Sequence, residues 1–121
     1  MNHHITIADH QGVLWARADA ALAAPLAQEL EIAVREAAAV GQHAVIVLDM
    51  AQVPAMDNSG VGALVRLQTA LATRGKRLIL ANPLPAVADE LRLRDLLGFF
   101  LISRDIQPDM GQEALLLASE A

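Results

Sequence analysis

Residues 45–50 read Val-Ile-Val-Leu-Asp-Met, and one short loop later comes Met56-Asp57-Asn58-Ser59-Gly60-Val61-Gly62. A continuous apolar run bounded by turn signals is the pattern of a strand covered on both faces. Asp and Asn in the cluster that follows suit a helix cap. The amphipathic run from Ala63 to about Thr73 then continues as a helix, with Val61, Leu64, Val65, Gln68, Leu71 and Ala72 on its inner side. This stretch therefore predicts a buried strand delivering a polar helix start, and the rest of the chain is read around it.

Before it, residues 4–9 alternate as a half-exposed strand does, His10-Gln11-Gly12 reads as a tight turn, and residues 13–18 form a second strand. Asp19 ends that strand, and its simplest role is a turn or cap. Residues 22–40 turn helical, with Leu26, Leu30, Ala33, Val34 and Ala37 at spacings of three and four, while the polar Gln28, Glu29, Glu31, Arg35 and Glu36 lie mostly off that face. Pro25 is tolerated in a first turn and Gly41 stops the helix. The third strand spans 44–50. After the second helix, Arg74-Gly75 makes a stop and residues 76–81 a fourth strand. Asn82-Pro83-Leu84-Pro85 starts a third helix, with Leu84, Val87, Leu91 and Leu96 inward and Gly98 at its end. Residues 99–103 make a fifth strand, and Pro108-Asp109 begins a last helix. The order ββαβαβαβα predicts an α/β fold: a small mixed sheet of about five strands, an opening hairpin followed by right-handed parallel crossovers, with about four helices. No repeat, linker or low-complexity tail interrupts it, so residues 1–121 read as a single domain.

Composition removes several functions. The chain is 55% hydrophobic, yet no apolar run approaches the roughly 18–20 residues of a membrane helix. Direct membrane insertion is not expected. The first residues lack the basic and apolar segments of a secretory signal, so a cytoplasmic location is expected. There is no cysteine, which excludes disulfides and thiol catalysis. With a formal charge of −5, one Trp, two Phe and no Tyr, the chain lacks the basic field and stacking platforms of a nucleic-acid binder.

In open sheets with such crossovers, ligands and partners meet the loops after the parallel strands, which is where residues 49–59 fall. A helix N-terminus there presents unpaired N–H groups that favour an anion. Asn58 or Ser59 could contact a ligand or carry a modification, or serve only as a cap. Gly60-Val61-Gly62 is neither a dinucleotide fingerprint nor a phosphate-binding loop, and Asn58-Ser59-Gly60 is not a nucleophile elbow. None of His3, His4, His10 and His43 forms an obvious base for Ser59 or a metal pair. No catalytic residue, metal or cofactor is expected.

The segment Val-Ile-Val-Leu-Asp at 45–49, through Met56-Asp57-Asn58-Ser59-Gly60-Val61-Gly62, resembles the signature of STAS domains, the family of anti-sigma factor antagonists and of the cytoplasmic domains of sulfate transporters. Asp19 with the Pro25-Leu26 turn, Gly75-Lys-Arg-Leu-Ile-Leu and Leu96-Leu97-Gly98-Phe99 resemble other parts of it, so the resemblance spans nearly the whole chain. It implies a binding module rather than an enzyme, with the contact surface at Asp19, Asp57, Asn58, Ser59, Gly60 and Gly62. An antagonist of this kind binds an anti-sigma factor, often a serine kinase, and frees the sigma factor. The kinase phosphorylates the residue after the motif Asp, and the added charge of about −1.5 to −2 breaks the complex.

Two departures stand out. The phosphoacceptor position holds Asn58, which cannot accept phosphate, and Ser59 next to it would point elsewhere on the first turn. Ala16 or Ala18 stands where the family usually carries glycine, a change expected to alter local backbone only. The leading expectation is an unswitched antagonist partnered by an anti-sigma factor or serine kinase. The alternatives are a subunit binding the ATPase of a bacterial phospholipid-trafficking ABC transporter, and a sensor of nucleotides or other small ligands. A homodimer is left open.

Overall fold

Residues 3–104 and 106 are described in the computed structural model. The chain opens with β1 (Ile5–His10) and β2 (Val13–Ala18), paired antiparallel from Ile5↔Ala18 to His10↔Val13. Gln11 and Gly12 join them, both at positive φ (52° and 80°). Two such residues form the tight turn whose twist matches a hairpin. Then follow α1 (Leu26–Val40), β3 (Val45–Asp49), α2 (Asn58–Thr73), β4 (Arg77–Ala81), α3 (Pro85–Leu93), a 3-10 turn at Leu97–Phe99 and β5 (Leu101–Ser103). The five strands lie side by side in sequence order, with β2 to β5 parallel.

Because the strand order advances in one direction and parallel crossovers share one hand, the three helices fall on one face. Side-chain alternation agrees. Leu14, Ile46, Leu48, Leu78 and Leu80 share a core with Leu30 and Val34 of α1, Leu64, Leu67 and Leu71 of α2, and Val87 and Leu91 of α3. The alternate residues Val13, Val45, Val47 and Ile79 belong to a second cluster on the opposite face, with Ile106. Strand β3 is thus buried on both faces, as its unbroken apolar run requires. Each such Val, Leu or Ile contributes about 1.5–3 kcal/mol by leaving water.

Several boundaries and faces differ from the sequence expectation. Helix α1 begins at Leu26 rather than 22, because Leu22 is drawn away to the loop before α2. On α2 the buried stripe is Gly60, Val61, Ala63, Leu64, Leu67 and Leu71, while Gln68 is half-buried and Ala72 exposed. Helix α3 stops at Leu93, before a positive φ at Asp95, and does not run on to Gly98. Leu84 is its exposed N-cap and Leu96 lies beyond it, half-buried. The described residues hold three α-helices and the 3-10 turn. The helix expected from Pro108 falls outside them. Ala16 and Ala18 are regular, buried strand residues. No helix among the described residues is long and apolar enough to cross a membrane.

Candidate functional site

Strand β3 ends at Asp49, whose carboxylate accepts a hydrogen bond from the Ala51 amide at 3.0 Å and turns the chain out of the sheet. The loop returns to α2 at Asp57. Its backbone is extended, and its Oδ1 accepts from the amides of Ser59 (2.9 Å) and Gly60 (3.2 Å). Asp57 is therefore the N-cap: it satisfies two otherwise unpaired donors and adds negative charge at the positive end of the helix. Asn58 is the first helical residue and is exposed, while Ser59 is half-buried. One residue of helix is 100° of rotation, so the two side chains leave in different directions. The expected cap lies on Asp57 alone, and Asn58 is left open to solvent.

A second segment is joined to this one. Leu22, fully buried, donates its amide to the Ala55 carbonyl at 2.9 Å and accepts from the Asp57 amide at 3.4 Å. This short parallel bridge, Leu22↔Met56, unites the β2–α1 loop with the loop entering α2. Asp19 lies at the start of that first loop. Its Oδ1 is 2.7 Å from His4 Nδ1, and its amide donates to the His4 carbonyl at 3.0 Å. Asp19 thus ties the loop to the start of β1 and caps no helix.

The two motif glycines have different causes. A Cβ on Gly60 would stand 2.2 Å from the Leu22 carbonyl oxygen and 2.5 Å from Met56 Cγ. Only a hydrogen fits where the bridged loop crosses the helix. At Gly62 a Cβ would meet only the end of the Arg66 guanidinium, at 3.1 Å, and no backbone. Packing does not require glycine there, although glycine in a helix interior costs about 1 kcal/mol relative to alanine. Gly62→Ala is expected to raise stability by about 0.5–1 kcal/mol, read as a higher urea midpoint with unchanged slope. A loss of stability would mean that Arg66 cannot move aside.

One residue of this face was misplaced by periodicity. Glu31, read as polar surface on α1, is 9% exposed. Its oxygens accept from Arg66 Nε of α2 at 2.9 Å and from Arg35 Nη1 at 3.2 Å. The Arg35 partner one turn along was visible in the sequence; Arg66, 35 residues away, was not. The pair fixes α1 against α2 and lays the Arg66 guanidinium over Gly62.

The histidines are spread through the fold. His4 pairs with Asp19, while His43, buried before β3, is 2.6 Å from Asp9 Oδ2 through Nε2. His43 stands at the opposite end of β3 from Ser59. Among the described residues, no three His, Cys, Asp or Glu are grouped to hold a metal. An open groove of about 750 Å³ lies between β1 and α1, lined by Ile5, Ile7, Glu29, Ile32 and Glu36 among others. It does not touch the start of α2, where Asp57 and Asn58 are exposed.

The family model of the STAS domain matches residues 4–109. No curated protein sequence matches the chain. Among solved structures, a candidate anti-sigma factor antagonist from Thermotoga maritima superposes with a TM-score of 0.79 at 19% identity, over 96% of this chain and 95% of that one. The anti-sigma factor antagonist SpoIIAA in its unphosphorylated form gives 0.75 at 19% identity, over 97% of each chain. An anti-sigma factor antagonist from Mycobacterium paratuberculosis gives 0.73 at 20% identity, over 97% and 93%. These likenesses establish a shared fold, and with the match along most of its length the chain belongs to the STAS domain family.

Proposed function

We propose that this STAS domain is a non-catalytic interaction module of the anti-sigma factor antagonist kind, docking its partner through the start of α2 and the loop bridged to it. The observation that carries this reading is the exposed Asn58 immediately after the cap Asp57, on a turn held rigid by two amide bonds and by the Leu22 carbonyl against Gly60. A prepositioned turn loses little entropy on binding. Asn58 occupies the position at which the resemblance implies phosphorylation, and its amide cannot take a phosphate. The module then works without the kinase switch, under control of its own abundance or of a ligand.

The partner is an anti-sigma factor or serine kinase. A second reading draws on the same residue: a subunit bound to the ATPase of a phospholipid-trafficking transporter needs no phosphorylation, which suits Asn58. Affinity purification from the native host with mass spectrometry decides between them, by returning either a kinase-like anti-sigma factor or an ATPase. With the kinase in hand, labelled ATP is expected to leave the wild type unlabelled and to label Asn58→Ser. Strong labelling of the wild type at Ser59 would sink the unswitched reading. Titration calorimetry with GTP, ATP and simple anions tests ligand sensing, which a flat response would remove.

A further inference from the structure

The sheet ends in two edges, β1 and β5, and they differ. Strand β5 has three residues, and so short an edge offers little to pair with. Strand β1 has six, and its middle, Ile5-Thr6-Ile7-Ala8, carries neither charge nor proline. Asp9 and His10 stand at one end of it and His4 just before the other. Its ladder with β2 runs without a bulge. A bare edge of this kind is a template for another strand, and monomers usually guard it with lysine, proline or a bulge.

The hydrogen bonds show which groups of β1 are open. A two-residue hairpin turn is flanked by a bonded pair, here His10↔Val13, and at the far end the Asp19 amide donates to the His4 carbonyl at 3.0 Å. Bonded pairs alternate along an antiparallel ladder. Thr6, Ala8 and His10 therefore turn their amides and carbonyls toward β2, while those of Ile5, Ile7 and Asp9 point away from the sheet. Thr6 and Ala8 are exposed. On the helix side, Ile5 and Ile7 lie half-buried opposite the small Ala18 and Ala16, and form the floor of the groove beside α1. Ile32, 56% exposed, lines the same groove.

We propose that β1 pairs antiparallel with β1 of a second copy, about a two-fold axis at Thr6. Open amides and carbonyls in a row commit the occupant to an extended strand. This chain carries one of matching length, and charge sets its register. Centred on Thr6, Ile5 of each copy lies opposite Ile7 of the other, and about four backbone bonds form. The two threonines face each other as a cross-strand pair. His4 falls level with Ala8, so no like charges meet. Centred on Ile7 instead, Asp9 would face Ile5 and His4 would face His10. In the first register, Ile5 and Ile7 of both copies make one continuous apolar floor, with Ile32 of each beside it. The pairing does not depend on the proposed partner, because β2 separates β1 from the strand that leads to α2. It makes the module divalent: β3 runs in opposite directions in the two copies, so their α2 starts lie toward opposite ends of the joined sheet.

The test is sedimentation equilibrium of the whole chain over a range of concentrations. The mass is expected to rise from 12.9 kDa toward twice that value. Hydrogen exchange locates the contact: on dimerisation the Ile5 and Ile7 amides should slow roughly tenfold or more, whereas those of Thr6 and Ala8 are protected in the monomer already. Thr6→Lys and Thr6→Glu each set like charges across the axis and should weaken self-association roughly tenfold. An equimolar mixture of the two variants should restore it. Thr6 is exposed, and circular dichroism melts check that both variants fold. A wild type that stays monomeric up to about 1 mM overturns the proposal. So does a dimer whose Ile5 and Ile7 amides exchange as fast as in the monomer, or a mixture of the two variants that associates no better than either alone.

Discussion

Gly60→Ala is expected to destabilise the protein by about 3 kcal/mol, at the upper end of the cost of an overpacked core. The new methyl would lie 2.2 Å from the Leu22 carbonyl oxygen, which is backbone and cannot rotate away. Alanine's better helix propensity returns only about 1 kcal/mol of this. Either α2 shifts outward or the β2–α1 loop lifts, and the second breaks the bonds that Leu22 makes to Ala55 and Asp57. For a chain of this length the melting temperature should fall by roughly 10 °C. Thermal and urea denaturation measure it, with Gly62→Ala as the control of opposite sign. A Gly60→Ala protein as stable as wild type would mean that the loop is not fixed against the helix.

Leu22→Ala should cost a similar amount by a different route. The side chain is fully buried among residues of β2, α1 and α2. Its truncation leaves a cavity, and such changes cost about 2–5 kcal/mol. The two substitutions act on one contact, so their costs should not add. Once Leu22 no longer anchors the loop, its carbonyl can retreat from the methyl at position 60. The double variant should therefore be less destabilised than the sum of the single ones, by about 1 kcal/mol or more in a double-mutant cycle. Strict additivity would mean that the loop stays in place without its side-chain anchor.

What the sequence disclosed follows the range of the forces involved. The buried run of β3, the period-2 pattern of β1 and β2 and the glycine turn between them act over a few neighbouring residues, and all were legible. The parallel crossovers followed from the alternation of strand and helix. The cap was legible because Asp57 bonds to amides two and three residues ahead. The bridge from Leu22 to Met56 was not, because it joins residues 34 positions apart. It also explains the late start of α1, since Leu22, helical in pattern, is claimed by a neighbouring loop. Glu31 went astray for the same reason: its burial is tolerable only because Arg66 arrives from another helix. The rotation of the α2 stripe from Gln68 and Ala72 to Ala63 and Leu67 reflects which side the sheet approaches, which a short amphipathic pattern does not fix.

The bridge between the two loops has a consequence for how such modules diverge. Loops that carry recognition are usually free to vary one at a time, because each rests on the scaffold alone. Here the chain around Leu22 and the chain from Ala55 to Gly60 share backbone bonds and one steric fit. They form a two-part cassette, in which a new sequence in one part must keep a carbonyl where the other leaves room for no side chain. Exchanging recognition between two relatives would require moving both segments together, and a chimera carrying only one of them would combine a foreign loop with a helix start shaped for another.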